Sequence, residues 1–344
     1  MAFRDLIHQD HAVMLLRTAV RTGRIAHAYL FAGPAGVGRR EAALAFAQLL
    51  NCERPTGADA CGECASCRLI ATGQHPDVRT IDVERGKVLD PEDTTKTAVG
   101  LKQVLALRRE VVYPPYQGRW KVYLIADSET LTNEAANSLL KVLEEPPPQV
   151  VIILIAEAVN ALLPTVVSRC QLLRFSFIPT AAIEQALVDR FSLPRGRARF
   201  LAALADGRLG RAAAWATSGD ALQLRESVLD LLGHMAGADA LERLDAAETL
   251  AKEKETAAEV LEIALLWYRD LLVWQHTQNE SLLINVDRID AIKTQALEVP
   301  SAVLSQWVDA VDDAKDALRR NVHPRLVLET LFLRLVLPPT PVTP

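Results

Sequence analysis

The chain has no surplus of positive charge: across its 344 residues the formal net charge is −5. A global basic field that attracts nucleic acid non-specifically is therefore excluded, and any such contact has to come from local clusters. Aromatic residues are scarce, 5% of the chain, while Ala and Leu are abundant, a balance that favours helices over an all-β architecture. Long apolar runs are missing as well. The most apolar stretch, VVIILIA at 150–156, is too short to span a bilayer and fits a buried strand. The first residues, MAFRDLIHQDH, mix charges among apolar residues and lack the apolar core of a signal peptide, which predicts a cytoplasmic protein.

Cysteine is sparse too, yet four of the five, Cys52, Cys61, Cys64 and Cys67, fall close together. In a reducing compartment this argues for a metal rather than disulfides. The pattern C-x8-C-x2-C-x2-C lets neighbouring thiolates converge on one ion, and four sulfur ligands favour tetrahedral Zn²⁺. Four thiolates close the coordination shell, so the zinc would be structural. An iron–sulfur cluster and unligated thiols are the alternatives. His75, nearby, reads as an ordinary loop histidine.

Half of the chain is hydrophobic, enough for a substantial core, and the length suggests two or three domains. The N-terminal half alternates strand and helix patterns. Strands are expected at 27–32, 78–83, 121–126, 150–156 and 171–175, with helices from about Arg40 to Leu50, at 101–110 and at 132–145, the last stopped by Pro146–Pro148. Strands separated by helices imply a mainly parallel sheet covered on both faces. After Pro179 only helical periodicity is found. Turn signals in SLPRGRARF at 192–200 and ATSGD at 216–220 place a small helical domain at 179–217 and a larger one at 218–338. The tail, 339–344, is too proline-rich to pack and is expected to be disordered.

Residues 33–41 read GPAGVGRRE. Gly33, Gly36 and Gly38 have the spacing of a phosphate-cradling loop between a strand and a helix, but the Lys and Ser/Thr of that motif are replaced by Arg39 and Arg40. A working loop uses the Lys on the outer phosphates and the hydroxyl on Mg²⁺. Arg39 is a planar fork rather than a compact ammonium, and Arg40 offers no hydroxyl. The metal-organising carboxylate expected after the 121–125 strand is also missing, since Ala126 stands there. Asp127 and Glu129 follow, and each reads as part of a solvated loop. The loop is either a degenerate nucleotide site or simply a tight strand-to-helix turn.

KVYLIADSETLTNEAANSLLKVLEEPPP, a buried strand, and then LLPTVVSRCQLLRF resemble the AAA+ clamp-loader family. The resemblance extends through HAYLFAGPAGVGRRE, the four-cysteine insert, DGRLGRA at 206–212 and NVHPRLVLETLFLRL at 321–335. It implies a RecA-like α/β AAA+ domain over 1–178 with a zinc-binding insert at about 52–67, an all-α lid and an all-α collar through which five subunits form a ring. Arg39, Arg40, Ala126 and Ile155-Ala156-Glu157, which stands where the family's polar sensor is usually found, depart from the family's gamma/tau motor pattern. The departures imply a non-hydrolysing stator member that does not bind ATP productively. Its partners would be the gamma/tau motor subunits and the delta subunit of the DNA polymerase III clamp loader, with the sliding clamp met indirectly and primed DNA met within the complex.

Within that resemblance Ser168, Arg169 and Cys170 match the family's SRC motif, whose arginine reaches into a neighbour's ATP site. The alternative is a surface arginine in a loop leading to a strand. Cys170 reads as a small buried hydrophobe. Arg208 and Arg211 fall in the family's second sensor region, where packing is the competing role. Arg17, Arg21, Arg24, Arg108 and Arg109 are candidate phosphate contacts, with solvated helix faces as the plain account of each. The amphipathic C-terminal helices read mainly as internal core. Two other functions remain open at this point. One is a divergent but active P-loop ATPase of the gamma/tau type, in which Arg39 does the work of the lysine and Asp127 organises Mg²⁺. The other is a zinc-dependent DNA-binding module, which the negative net charge disfavours.

Overall fold

The computed structural model describes residues 2–82, 99–235, 238–251, 253–320 and 322–336. The chain forms two compact units, one reaching to Pro179 together with Arg208–Gly210, the other made of Thr180–Gly207 and the residues from Arg211 onward.

In the first unit the elements run α1 (Asp10–Thr22), β1 (Ala28–Ala32), α2 (Arg39–Asn51), α3 (Ala65–Ala71), β2 (Val78–Ile81), α4 (Leu101–Glu110), β3 (Lys121–Ile125), α5 (Asn133–Glu144), β4 (Val150–Ala156), α6 (Pro164–Val167) and β5 (Gln171–Arg174). The five strands form one sheet in the order β2-β3-β4-β1-β5. Every adjacent pair is parallel, with Leu30 opposite Leu154 and Leu172, and Leu124 opposite Ile153. Alternate side chains serve opposite faces, as the period of a strand requires. Tyr29, Phe31, Val122, Leu124, Val151 and Ile153 join Leu16, Phe46, Leu49 and Ile70 in one core. Ala28, Leu30, Tyr123, Ile125, Ile152 and Leu154 join Val104, Leu107, Leu139 and Val142 in the other. A sheet apolar on both faces is thus roofed by helices on both, the parallel α/β arrangement that the sequence leads one to expect.

The strand boundaries fall within two residues of expectation, and Val83 and the tail from 337 lie outside the described residues. Helix α5 starts at Thr132, whose hydroxyl caps the Ala135 N–H at 3.2 Å, and stops before the proline run. Three helices of this unit were not among those expected from the pattern: α1, the short α6, and α3 in the cysteine insert, whose first turn carries Cys67.

The second unit is helical throughout: α7 (Thr180–Phe191), α8 (Arg195–Leu204), α9 (Leu209–Ser218), α10 (Asp220–Met235), α11 (Ala240–Leu250), α12 (Lys254–Thr277), α13 (Ile289–Glu298), α14 (Ser301–Arg319) and α15 (Pro324–Arg334). The turn expected across 192–200 is shorter, because Pro194 sits at the N-cap of α8 and the Arg- and Ala-rich residues after it continue as helix. Arg225 is almost fully buried beneath α8. Its guanidinium lies 4.6 Å over the Phe200 ring and donates to Asn285 Oδ1 and to both oxygens of Asp287. Burial opposes ionisation of Asp287, but the Arg225 hydrogen bonds outweigh it and hold the carboxyl below its usual range. Among the described residues no helix is long and apolar enough to cross a membrane.

Candidate functional site

The phosphate-type loop joins β1 to α2. Gly33 and Gly36 both have positive φ, 157° and 73°. A Cβ on Gly33 would lie 2.3 Å from the Phe175 carbonyl oxygen, so the residue is required by packing against the chain leaving β5. Gly36 accepts a hydrogen bond from the Gly210 N–H at 2.8 Å, and a Cβ on Gly210 would approach the Gly36 Cα to 3.2 Å. The loop is therefore held by its glycines against the chain leaving β5 and against Gly210, with the Gly36 carbonyl already bonded.

Of the two arginines, Arg40 is paired within the chain and Arg39 is sheltered. Arg40 Nη2 lies 3.2 Å from Oδ2 of Asp82, a buried carboxylate just beyond β2. Arg39 is partly buried, and its Nη1 is sheltered without a hydrogen-bond partner among the described residues. Burial pushes the Arg39 guanidinium below its ordinary value, opposed by the fields of Glu129, Glu157 and Asp127. Glu129 is consequently not the solvated side chain that the sequence suggested: it is half-buried, with Oε2 shielded from solvent. Asp127 is exposed. Beyond β3 the chain is fixed by the Ser128 hydroxyl, which donates to the Ile125 carbonyl at 2.7 Å and accepts from the Ile155 N–H at 3.1 Å.

Arg169 lies just after α6 and is partly exposed. It reaches Oε1 of Glu144 at the end of α5, at 2.7 Å, and donates to the Thr165 carbonyl at 2.9 Å. Ser168 is exposed, and Cys170 is half-buried, its thiol pushed up to about 12 by burial, which disfavours the thiolate. Arg208 stacks on Phe177 at 5.5 Å and Arg211 on Trp215 at 4.2 Å. Arg17 is not a loose phosphate contact: it pairs with Asp59 at 3.0 Å. Arg21 and Arg24 are exposed.

The sulfurs of Cys52, Cys61, Cys64 and Cys67 all lie within 4.8 Å of one another. Tetrahedral zinc–thiolate bonds of ~2.3 Å put sulfurs ~3.8 Å apart, so a small contraction would complete the shell. Backbone N–H groups of Cys61, Cys64 and Cys67 donate to the sulfurs of Cys52, Cys61 and Cys64 at 3.3–3.4 Å, an arrangement suited to thiolates. The Glu63 and Cys64 N–H groups pull the Cys61 thiol down to about 6, whereas burial pushes Cys67 up. The donor set thus fits a tetrahedral dication with no open position.

Around this centre the structure adds a network that the sequence did not announce. His75 is buried, not an ordinary loop histidine. Its Nδ1 accepts from the Asp77 N–H at 3.1 Å, which leaves Nε2 to donate to the Ser66 hydroxyl at 3.0 Å. Asp77 in turn accepts from the N–H groups of Tyr116, Gln117 and Gly118 at 2.6, 2.7 and 2.7 Å. Asn51, next to Cys52, accepts from the Arg119 and Trp120 N–H groups, and Arg119 donates to the Cys52 carbonyl at 2.9 Å. A buried Asn immediately before a cysteine and an Asp two residues after a histidine were the available signals.

Comparison with known proteins gives consistent matches. Residues 8–179 match the family described as DNA polymerase III, delta subunit, and residues 219–336 its C-terminal counterpart. The chain is 32% identical over 330 residues to the DNA polymerase III subunit delta' of Bacillus subtilis, covering 95% of this chain and 96% of that one. It is 45% identical over 145 residues to the delta' subunit of Pseudomonas aeruginosa, 42% of either chain. To the tau subunit of B. subtilis it is 27% identical over 358 residues, spanning 97% of this chain but only 61% of that longer protein. A solved gamma subunit-related protein of Thermotoga maritima is 19% identical with a TM-score of 0.42, covering 93% of this chain and 98% of that one.

Proposed function

This chain belongs to the delta/delta-prime family of DNA polymerase III, and from that premise we propose that it is the non-hydrolysing, stator-type subunit of the clamp loader. In this role it helps load the sliding clamp onto primed DNA in the cytoplasm, beside gamma/tau motor subunits and a delta subunit. Helices of 179–217 act as a lid and those of 218–338 as the collar of the ring. The observation that carries the reading is the Arg40–Asp82 pair: where a motor needs a hydroxyl on Mg²⁺, this chain has a guanidinium held by its own buried carboxylate. Arg39, set in the field of Glu129 and Glu157, and Ala126 remove the other two requirements.

A chain without hydrolysis can still serve it. Charge builds on the transferring phosphoryl group, and a guanidinium supplied by a neighbour stabilises that charge. Arg169 suits this role because it is surface-accessible and held by an ion pair that another anion can replace. Cys52, Cys61, Cys64 and Cys67 would hold a structural zinc that ties the insert together and takes no part in the chemistry.

The test is ATP binding and hydrolysis by the purified chain, with a motor subunit as positive control. No turnover is expected, and Arg39→Lys with Arg40→Thr should not create any, because Ala126 still lacks the metal-organising acid. Mg²⁺-dependent turnover that copurifies with the chain, raised by the double substitution, would instead establish an active gamma/tau-type site.

A further inference from the structure

The loop between α4 and β3, Val112–Arg119, presents side chains that neither the core nor the phosphate loop uses. Val112, Tyr113 and Tyr116 are 66%, 67% and 88% exposed, and Tyr116 is the most exposed large apolar side chain among the described residues. On a slack loop such exposure would mean little. This loop is pinned at its C-terminal half by two buried groups: the Asp77 carboxylate takes the N–H groups of 116–118, and the Asn51 amide takes those of 119 and 120. Pro114 and Pro115 stiffen the remainder. Nature rarely leaves two tyrosines in water on a preorganised loop without a ligand for them.

The charge around the rings indicates which ligand. Arg108, Arg109 and Arg119 flank them in sequence, and the two acids at the loop are already engaged, Glu110 facing Arg79 at 3.5 Å and Asp77 taking the loop's own amides. Arg108 donates to Ser138 and Arg119 gives one N–H to the Cys52 carbonyl, which leaves Arg109 and the rest of the Arg119 fork. Arg109 and Arg119 are exposed. Within a chain of net negative charge, this segment therefore sets exposed cations close in sequence to exposed aromatic rings, the combination that binds single strands, in which rings stack on bases and cations follow the backbone. We propose that Val112–Arg119 is a stacking platform for single-stranded nucleic acid, with Tyr113 and Tyr116 taking bases and Arg109 and Arg119 taking phosphates. The physical site stands on the loop geometry alone; only its substrate in the cell, the single strand beside a primer, rests on the clamp-loader reading.

The experiment is fluorescence anisotropy of a labelled oligothymidylate of about 20 nucleotides with the zinc-loaded full chain, from low to high salt. The unmodified chain should bind with steep salt dependence. Tyr113→Ser with Tyr116→Ser should weaken binding by about tenfold or more, while the corresponding Phe pair retains it, since stacking needs the ring and not the hydroxyl. Arg109→Ala should lower the salt slope by about one. The exposed positions allow these variants to fold, which an unchanged melting temperature would verify. Absence of binding by the unmodified chain overturns the proposal. So does a Ser pair that binds as tightly as the original, including the case in which that pair loses only a protein partner. None of these outcomes bears on ATP turnover, so failure here and failure of the stator reading are distinguishable.

Discussion

The Arg169 guanidinium meets the Glu144 carboxylate at 2.7 Å, tying the end of the LLKVLEE helix to the SRC turn. Both side chains are at least a third exposed, so the pair adds no more than about 1 kcal/mol to stability. Its effect is positional: it keeps the arginine extended along the surface until a stronger anion competes. Arg169→Ala should therefore leave the melting temperature and ring assembly unchanged but reduce ATP turnover at the adjoining motor site by about 10³. DNA-stimulated ATPase of the reconstituted complex measures this, and an unaltered rate would remove Arg169 from the chemistry.

Gly33 makes a second prediction, on stability rather than activity. With φ at 157° and the Phe175 carbonyl 2.3 Å from any Cβ, Gly33→Ala must displace backbone. A cost of about 3 kcal/mol is expected, read as a lowered midpoint in urea unfolding with the slope preserved. The same measurement on Gly23→Ala, where nothing lies within 4 Å, isolates the backbone-strain part. If Gly33→Ala costs no more than Gly23→Ala, the packing account of the loop glycine fails.

Much of this architecture was legible because each signal was local. Apolar runs such as Val150–Ala156 fix the buried strands, Thr132 and Pro146 bracket α5, and the two x2 spacings bring the cysteines together. What sequence could not supply depends on residues far apart in the chain. Arg40 finds Asp82 across 42 positions, Arg17 finds Asp59, and Asp77 collects amides 39 to 41 residues away. His75 looked like a loop residue because Gln74, Pro76 and Asp77 around it are polar or turn-forming. Its partners lie elsewhere: Ser66 on α3, a helix absent from the expected pattern, and the Asp77 amide.

Metal removal gives the third prediction. Cys52 begins the insert and also offers its carbonyl to Arg119, so a zinc held by the four cysteines would support the 116–120 segment as well as its own loop. Chelation, or Cys67→Ser, should lower the melting temperature of the first unit by roughly 5–10 °C, taking a loss of a few kcal/mol. Amide exchange should quicken in residues 61–75 and 116–120, while the β1–β4 pairing stays protected. Zinc content by atomic absorption should fall in step with the exchange. A protein that loses zinc with no change at 116–120 would show that the loop stands without the metal.

The last prediction concerns pH. Burial alone would raise the Asp77 carboxyl, but the Gly118, Tyr116 and Gln117 N–H groups and the nearby His75 lower it further, so its folded value lies below the usual carboxylate range. A carboxyl depressed on folding contributes stability that is fully present above the unfolded value, near ~4, and is lost as pH falls through the lower folded value. Asp77→Asn removes that contribution and replaces an acceptor of three amides by one with a single carbonyl oxygen. At pH 7 the variant should be less stable by about 2 kcal/mol, the scale of a few hydrogen bonds to a charged group. The difference from the original chain should narrow as pH drops below ~4, because the original then loses the ionised acceptor too. Urea unfolding at pH 7 and at pH 3 tests both statements; an equal difference at the two values would mean that the carboxylate's charge does not hold the loop. Exchange of the Tyr116, Gln117 and Gly118 amides locates the effect, since the aromatic pair is presented only while those three N–H groups stay bonded.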